Sequence, residues 1–120
     1  DQIVNGLIDL KILKASRDEV FEKELYKEFF MHRTSHWLGL DVHDVGAYQH
    51  PDGAWLAFKP GMALTIEPGL YFPVDSNVAA KWRGIGIRIE DDILVTKEGC
   101  CVLTQNCPKD IADIELIMQN

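Results

Sequence analysis

The stretch Met-Ala-Leu-Thr-Ile-Glu at residues 62–67 carries the clearest strand signal in this sequence. Its residues alternate with the two-residue period of a β-strand, which places Met62, Leu64 and Ile66 on one face. The Pro-Gly pair at residues 68–69 is typical of a turn, so we expect the strand to end there. The period therefore predicts a strand that presents a glutamate, Glu67, at its polar end.

A second strand is predicted at residues 85–90, where isoleucine alternates with other residues. Arg88 and Glu90 then share the face opposite the isoleucines. The short apolar run at residues 29–31 predicts one further strand.

Helical spacing of apolar residues flanks these strands. Residues 3–13 fit one helix, and a capping box from Ser16 to Glu19 opens another of about three turns that extends to Phe29. A last helix is predicted from residues 106–108, with a buried isoleucine stripe. The pattern indicates an α+β fold, with antiparallel strands in the middle and helices near both ends.

Length and composition indicate one domain over residues 1–120. Apolar residues make up 47% and charged residues 26%, which is ordinary for a globular chain. Because 12 basic and 19 acidic residues give a net charge of −7, we expect no nucleic-acid partner. No apolar run reaches the roughly 18 residues of a membrane span, and residues 1–5 lack the basic start and apolar stretch that are typical of a secretory signal. We expect a cytoplasmic protein with no membrane partner and with reduced thiols at Cys100, Cys101 and Cys107.

Three histidines and two aspartates cluster in the aperiodic stretch 32–46, namely His32, His36, His43, Asp41 and Asp44. Imidazole and carboxylate are common metal ligands, so the cluster suggests a metal site. His32 and His36 have the spacing of a zinc-binding helix, but Arg33 replaces the glutamate which that motif needs. Two other interpretations stay open: loop histidines that cap carbonyls, and a two-histidine, one-carboxylate oxygenase site.

Glu67 and the pair Arg88 and Glu90 have ordinary interpretations as a solvated strand end and a surface ion pair. However, Asp91 and Asp92 follow Glu90 directly, so several carboxylates lie close together. A bound cation would neutralise Glu90 and Glu67. One histidine and two glutamates from separate elements suit Mn²⁺, Co²⁺ or Zn²⁺.

Three long segments, in this order, resemble the pita-bread metallopeptidases. Residues 32–46 read His-Arg-Thr-Ser-His-Trp-Leu-Gly-Leu-Asp-Val-His-Asp-Val-Gly and resemble the family's histidine segment. Residues 60–71, Pro-Gly-Met-Ala-Leu-Thr-Ile-Glu-Pro-Gly-Leu-Tyr, and residues 82–92, Trp-Arg-Gly-Ile-Gly-Ile-Arg-Ile-Glu-Asp-Asp, resemble its two glutamate segments. Within the family, the histidine segment is most similar to that of the Xaa-Pro aminopeptidases, and the prolidases are near neighbours.

The resemblance implies a role for each matching residue. His36, Glu67 and Glu90 fall on ligands of two divalent ions, with Mn²⁺ expected and Co²⁺ or Zn²⁺ as alternatives. Glu67 is also implied as the proton acceptor, and His43 as the histidine that contacts the scissile peptide. Two further site residues, His32 and Arg88, are implied to lie near the proline side of the peptide substrate. Arg33 stands where the family most often has glycine.

The family pattern also has two aspartate ligands upstream of the histidines. Here Asp9 lies in a helical pattern and Asp18 in a capping box, so neither fits a strand hairpin. We therefore expect the chain, which begins with Asp1, to be the C-terminal half of a pita-bread catalytic domain with a curved antiparallel sheet. Alone it should be inactive, with the upstream half as its partner, and its uncovered apolar surface should favour homo-oligomers. The alternatives are a prolidase and a non-catalytic pita-bread binding module.

Overall fold

The computed structural model describes residues 1–119, and these divide into two compact units. The first unit comprises Asp1–His32 and Gly69–Arg88, and the second comprises Arg33–Pro68 and the chain from Ile89 onward. The helices are α1 (Gln2–Asp9), α2 (Arg17–Glu22) and α3 (Ile111–Met118), with 3₁₀ turns at Leu25–Glu28 and Ala80–Trp82. The strands are β1 (Ala63–Ile66), β2 (Gly69–Phe72), β3 (Ile85–Arg88), β4 (Asp91–Val95) and β5 (Cys100–Val102). All strand pairs are antiparallel, as predicted.

The first unit confirms the predicted capping box and corrects the helix that follows it. The Ser16 hydroxyl accepts a hydrogen bond from the backbone N–H of Glu19 at 3.3 Å and caps α2. The helix ends after six residues because Glu24 adopts a left-handed conformation with φ of 52°, so the prediction of three turns was wrong.

The core of the first unit explains why the predicted strand at residues 29–31 is absent. Phe29 is buried against Phe72, with ring centroids 5.2 Å apart, and Leu7 and Val78 complete the cluster. The Phe29 carbonyl accepts one backbone hydrogen bond from Tyr71, but the segment forms no strand. Packing of the Phe29 ring, and not a ladder of backbone hydrogen bonds between strands, holds residues 29–31 in place.

The first unit also carries the strand pair β2 and β3. The Pro-Gly pair does not make a reversing turn, because Gly69 is already the first residue of β2. Gly69 pairs with Arg88, and Phe72 pairs with Ile85. The strand predicted at residues 85–90 is thus confirmed over Ile85–Arg88, whereas Ile89 and Glu90 lie between β3 and β4.

The second unit contains a three-stranded sheet in the order β1, β4, β5. Alternation predicted that Leu64 and Ile66 share the buried face of β1, but only Leu64 is buried, and Ile66 is 44% exposed. Thr65, from the other face, is 1% exposed. A buried hydroxyl needs hydrogen-bond partners, and those of Thr65 lie in the candidate site described below.

Helix α3 begins later than predicted and is not buried. Its N-cap is Asp110, because the preceding residues form a turn in which the Cys107 N–H donates to the Thr104 carbonyl. The predicted apolar stripe is exposed among the described residues at Ile111, Ile114, Ile117 and Met118. No helix in residues 1–119 is long and apolar enough to cross a membrane.

Candidate metal centre

The register of β1 and β4 sets Glu67 opposite Glu90. Ile66 pairs with Asp91, so the two glutamates are the next opposed residues beyond this pair. The Ile89 N–H donates to the Pro68 carbonyl at 3.2 Å, which continues the alignment past them. Opposed side chains share a face, and two carboxylates so placed repel each other unless a cation or a proton intervenes.

The segment around His36, which precedes β1 in the chain, lies along the edge of β1 that faces away from β4. The Thr65 N–H donates to the His36 carbonyl at 3.0 Å, and the Glu67 N–H donates to the Thr34 carbonyl at 2.8 Å. Trp37 forms an isolated antiparallel bridge with Leu64. Three adjacent extended segments, with β1 in the centre, therefore supply His36, Glu67 and Glu90.

The donor atoms of these three side chains converge. One ligand atom from each of His36, Glu67 and Glu90 lies within 4.8 Å of the others, and no other group of this kind occurs in residues 1–119. His36 Nε2 is 3.2 Å from Glu67 Oε1, and Glu67 is buried, with 8% of its surface exposed. One imidazole nitrogen and two carboxylates form a donor set that fits a borderline divalent ion such as Mn²⁺, Co²⁺ or Zn²⁺.

The orientation of His36 also fits a metal ligand. Its Nδ1 lies 3.1 Å from the Trp37 carbonyl oxygen. A carbonyl only accepts, so Nδ1 carries the proton, and in the neutral ring Nε2 keeps a lone pair. Nε2 is the atom that faces Glu67, and a backbone carbonyl on the other nitrogen is the usual support of a ligating histidine.

Thr65 contacts both His36 and Glu67, a role that the sequence did not indicate. Its hydroxyl accepts from the His36 N–H and donates to Glu67 Oε1, each at 3.1 Å. A threonine within a strand is an ordinary β-former, so its residue type alone gave no signal for this role. A signal was available in the spacing, since residues two apart on a strand share a face.

His43 lies against His36 within the second unit. The two rings meet edge to face, with centroids 4.4 Å apart. Asp44 shapes the intervening loop, because its carboxylate accepts from the backbone N–H groups of Leu40 and Val45. A Cβ on Gly39 would overlap that carboxylate, so glycine is required there. Asp44 thus has a structural role beside the cluster.

Arg33, which stands where the family most often has glycine, packs against an aromatic side chain in the second unit. Its guanidinium lies 5.6 Å from the centroid of the Tyr48 ring, and Tyr48 stacks on Trp37 at 5.4 Å. A cation over an aromatic face is a favourable contact.

His32 and Arg88 belong to the first unit. His32 Nε2 is 3.1 Å from the Tyr71 hydroxyl, a partner that the sequence did not indicate. A Cβ on Gly69 would lie 2.8 Å from that hydroxyl and 3.0 Å from His32 Nε2, so glycine allows the pair to form. Arg88 lies directly across the ladder from Gly69.

Asp91 is neutralised by protein groups. Its carboxylate accepts from the Thr104 hydroxyl at 2.6 Å and pairs with Lys109 Nζ at 3.0 Å. These contacts, the Thr104 hydrogen bond first, hold the pKa of Asp91 below its usual range.

Comparisons with known proteins agree with this geometry. A profile of metallopeptidase family M24 matches residues 8–97. The Xaa-Pro aminopeptidases of Haemophilus influenzae and Escherichia coli are 49% and 50% identical to this chain, and the matches cover 94% and 97% of it. The chain spans only 26% of the length of each of these relatives.

Solved structures give the same result for the fold. The aminopeptidase PepP of Pseudomonas aeruginosa matches 97% of this chain with a TM-score of 0.91 and 53% identity, over 26% of its own length. Aminopeptidase P of E. coli, solved with the inhibitor Pro-Leu, matches 98% of the chain with a TM-score of 0.88 and 49% identity. These matches confirm the predicted α+β pita-bread fold. Given the extent of the profile match, this chain belongs to metallopeptidase family M24.

Proposed function

We propose that this chain is the C-terminal part of the catalytic domain of a metal-dependent Xaa-Pro aminopeptidase. Such an enzyme releases the N-terminal residue from peptides that have proline in second position. The observation that carries the proposal is the convergence of His36, Glu67 and Glu90 within 4.8 Å in a chain of family M24. The substrate class rests on the relatives, which are named Xaa-Pro aminopeptidases.

An upstream part of a longer protein is proposed to complete the site. The ligand cluster of residues 1–119 contains one histidine and two glutamates and no aspartate. The chain also spans about a quarter of its curated relatives. A site for two ions needs more protein ligands than these three, and we assign the remaining two to aspartates of the upstream half.

The proposed cofactor is a pair of divalent ions, with Mn²⁺ expected and Co²⁺ or Zn²⁺ as alternatives. His36, Glu67 and Glu90 would hold them. When bound, such ions lower the pKa of a water molecule and polarise the carbonyl that precedes proline. One structural relative, E. coli aminopeptidase P, is described as Zn-substituted, which supports a site that accepts more than one divalent ion.

The remaining chemistry is assigned to this chain's side chains. Glu67 accepts the proton of the attacking water, a role that suits a buried carboxylate held by a hydrogen bond at Oε1. His43 donates a hydrogen bond to the oxyanion that develops on the scissile carbonyl, supported by its contact with His36. His32 and Arg88 are proposed to contact the substrate near its proline.

A peptide panel tests the substrate class. The enzyme is a chimera in which this chain replaces its matched segment of the E. coli Xaa-Pro aminopeptidase. We expect the chimera, with Mn²⁺, to hydrolyse an Xaa-Pro tripeptide and to leave the matched Xaa-Ala tripeptide intact. Cleavage of Xaa-Pro dipeptides alone would indicate a prolidase, and equal cleavage of both tripeptides would contradict proline specificity.

Self-association of the 120-residue chain is also proposed, as a homo-oligomer. The support is the row of exposed apolar side chains on α3, namely Ile111, Ile114, Leu116, Ile117 and Met118. Light scattering should give a mass that rises with concentration, and Ile117→Lys should reduce it. A constant monomer mass at high concentration would contradict this prediction.

A cytoplasmic location is proposed on the state of the cysteines. Cys100, Cys101 and Cys107 are all free and exposed, which suits a reducing compartment.

A further inference from the structure

The polar side chain of Thr65 is buried and has two hydrogen-bond partners, of which one is a donor and the other an acceptor. It is 1% exposed, its hydroxyl accepts from the His36 N–H, and the same hydroxyl donates to Glu67 Oε1. An N–H group only donates, so the single hydroxyl proton is left for the carboxylate. The direction of both hydrogen bonds is therefore determined by chemistry alone.

The hydroxyl also takes the place of a backbone acceptor. The Thr65 N–H donates to the His36 carbonyl, and in a regular antiparallel pair the His36 N–H would donate back to the Thr65 carbonyl. Here the Thr65 hydroxyl receives that N–H instead. One of the hydrogen bonds that position the His36 backbone relative to β1 is thus made by a side chain.

We propose that Thr65 is a positioning residue that holds His36 and Glu67 together in the geometry required to bind a divalent ion. The inference rests on the proposed function, because it takes these two residues as ligands. Glu67 is oriented through its Oε1 atom and His36 through its backbone N–H. Without the hydroxyl, the His36 N–H is free to shift to the Thr65 carbonyl, and Glu67 loses the hydrogen bond that Thr65 donates to its Oε1 atom.

The test compares variants of the full 120-residue chain by calorimetric titration with Zn²⁺ and by the absorption spectrum with Co²⁺. Thr65→Val keeps the size and the β-branched shape but removes the hydroxyl, whereas Thr65→Ser keeps the hydroxyl and removes the methyl group. Thr104→Val is the matched control, since the Thr104 hydroxyl joins a backbone N–H to the carboxylate of Asp91, which is not in the ligand cluster.

We expect Thr65→Val to weaken Zn²⁺ binding by about 10- to 100-fold, the usual effect of removing a group that supports a ligand. Its Co²⁺ spectrum should change, while Thr65→Ser and Thr104→Val should retain the parent affinity and spectrum. The proposal is overturned if Thr65→Val binds like the parent chain. The proposal is equally overturned if Thr65→Ser loses as much Zn²⁺ affinity as Thr65→Val, since packing and not the hydroxyl would then control the site. If Thr65→Val does not fold, a loss of Zn²⁺ affinity in Thr65→Ser overturns the proposal for the same reason. If the parent chain and a His36→Ala variant show the same Zn²⁺ binding, the metal centre itself is wrong, and the role of Thr65 fails with it.

Discussion

Glu67→Gln should remove divalent-metal binding from this chain and turnover from the chimera. The substitution keeps the size of the side chain but removes the negative charge that lies opposite Glu90 and beside His36 Nε2. Loss of a ligand should exceed the roughly 10- to 100-fold loss of affinity that a supporting residue causes. Because the same carboxylate is the proposed proton acceptor, we expect kcat to fall by about 10³-fold or more.

The measurements are Zn²⁺ titration of the chain and steady-state hydrolysis of an Xaa-Pro tripeptide by the chimera. Glu98→Gln is the matched control, because Glu98 is exposed and lies outside the ligand cluster. It makes the same change of charge and should leave affinity and kcat unaltered. Parent-like metal binding by Glu67→Gln would exclude Glu67 as a ligand.

His43→Phe should separate catalysis from metal binding. Phenylalanine preserves an aromatic ring against His36, where the rings now meet at 4.4 Å, and removes the ring N–H donor. If His43 stabilises the oxyanion, kcat of the chimera should fall by about 10²- to 10³-fold, the usual effect of losing one such donor. KM and the Zn²⁺ affinity of the chain should stay at the parent values.

His50→Phe provides the control for this substitution, since His50 is exposed in a turn of the same unit. A parallel loss of metal affinity in His43→Phe would show that His43 supports the ligands. An unchanged kcat would remove His43 from the reaction altogether.

The strand pattern contained enough information to locate much of the candidate site. A two-residue period put Glu67 at the end of one strand and Glu90 at the end of another, and their charges suggested a cation as a common partner. The register that sets them opposite each other is a tertiary property, so it emerged only from the ladder between β1 and β4. The neutralisation of Asp91 by Thr104 and Lys109 was likewise invisible in the sequence, because those residues lie more than ten positions away.

The three helices were predicted in the right regions, but their boundaries were not. Local signals identified the cap at Ser16, because a capping box is a short-range hydrogen-bond pattern. The left-handed residue Glu24 carries no comparable signal, so the early end of α2 was missed. The apolar stripe of α3 correctly indicated a helix but not its exposure, since burial depends on what packs against it.

The retained ligands favour an enzyme over a binding module. A non-catalytic binding module does not need side chains that bind a metal ion. Here His36, Glu67 and Glu90 are all present, and one ligand atom of each lies within 4.8 Å of the others. The buried hydroxyl of Thr65 and the carbonyl of Trp37 support two of these side chains. This support is expected where the orientation of a ligand matters.

Hydrolysis of an Xaa-Pro tripeptide, with added Mn²⁺, by the 120-residue chain alone and by the chimera tests whether this chain supplies three ligands of a peptidase site that an upstream part of the protein completes. We expect no detectable turnover by the chain alone and ready turnover by the chimera. Ready turnover by the chain alone, or an inert chimera that still binds metal, would contradict this expectation.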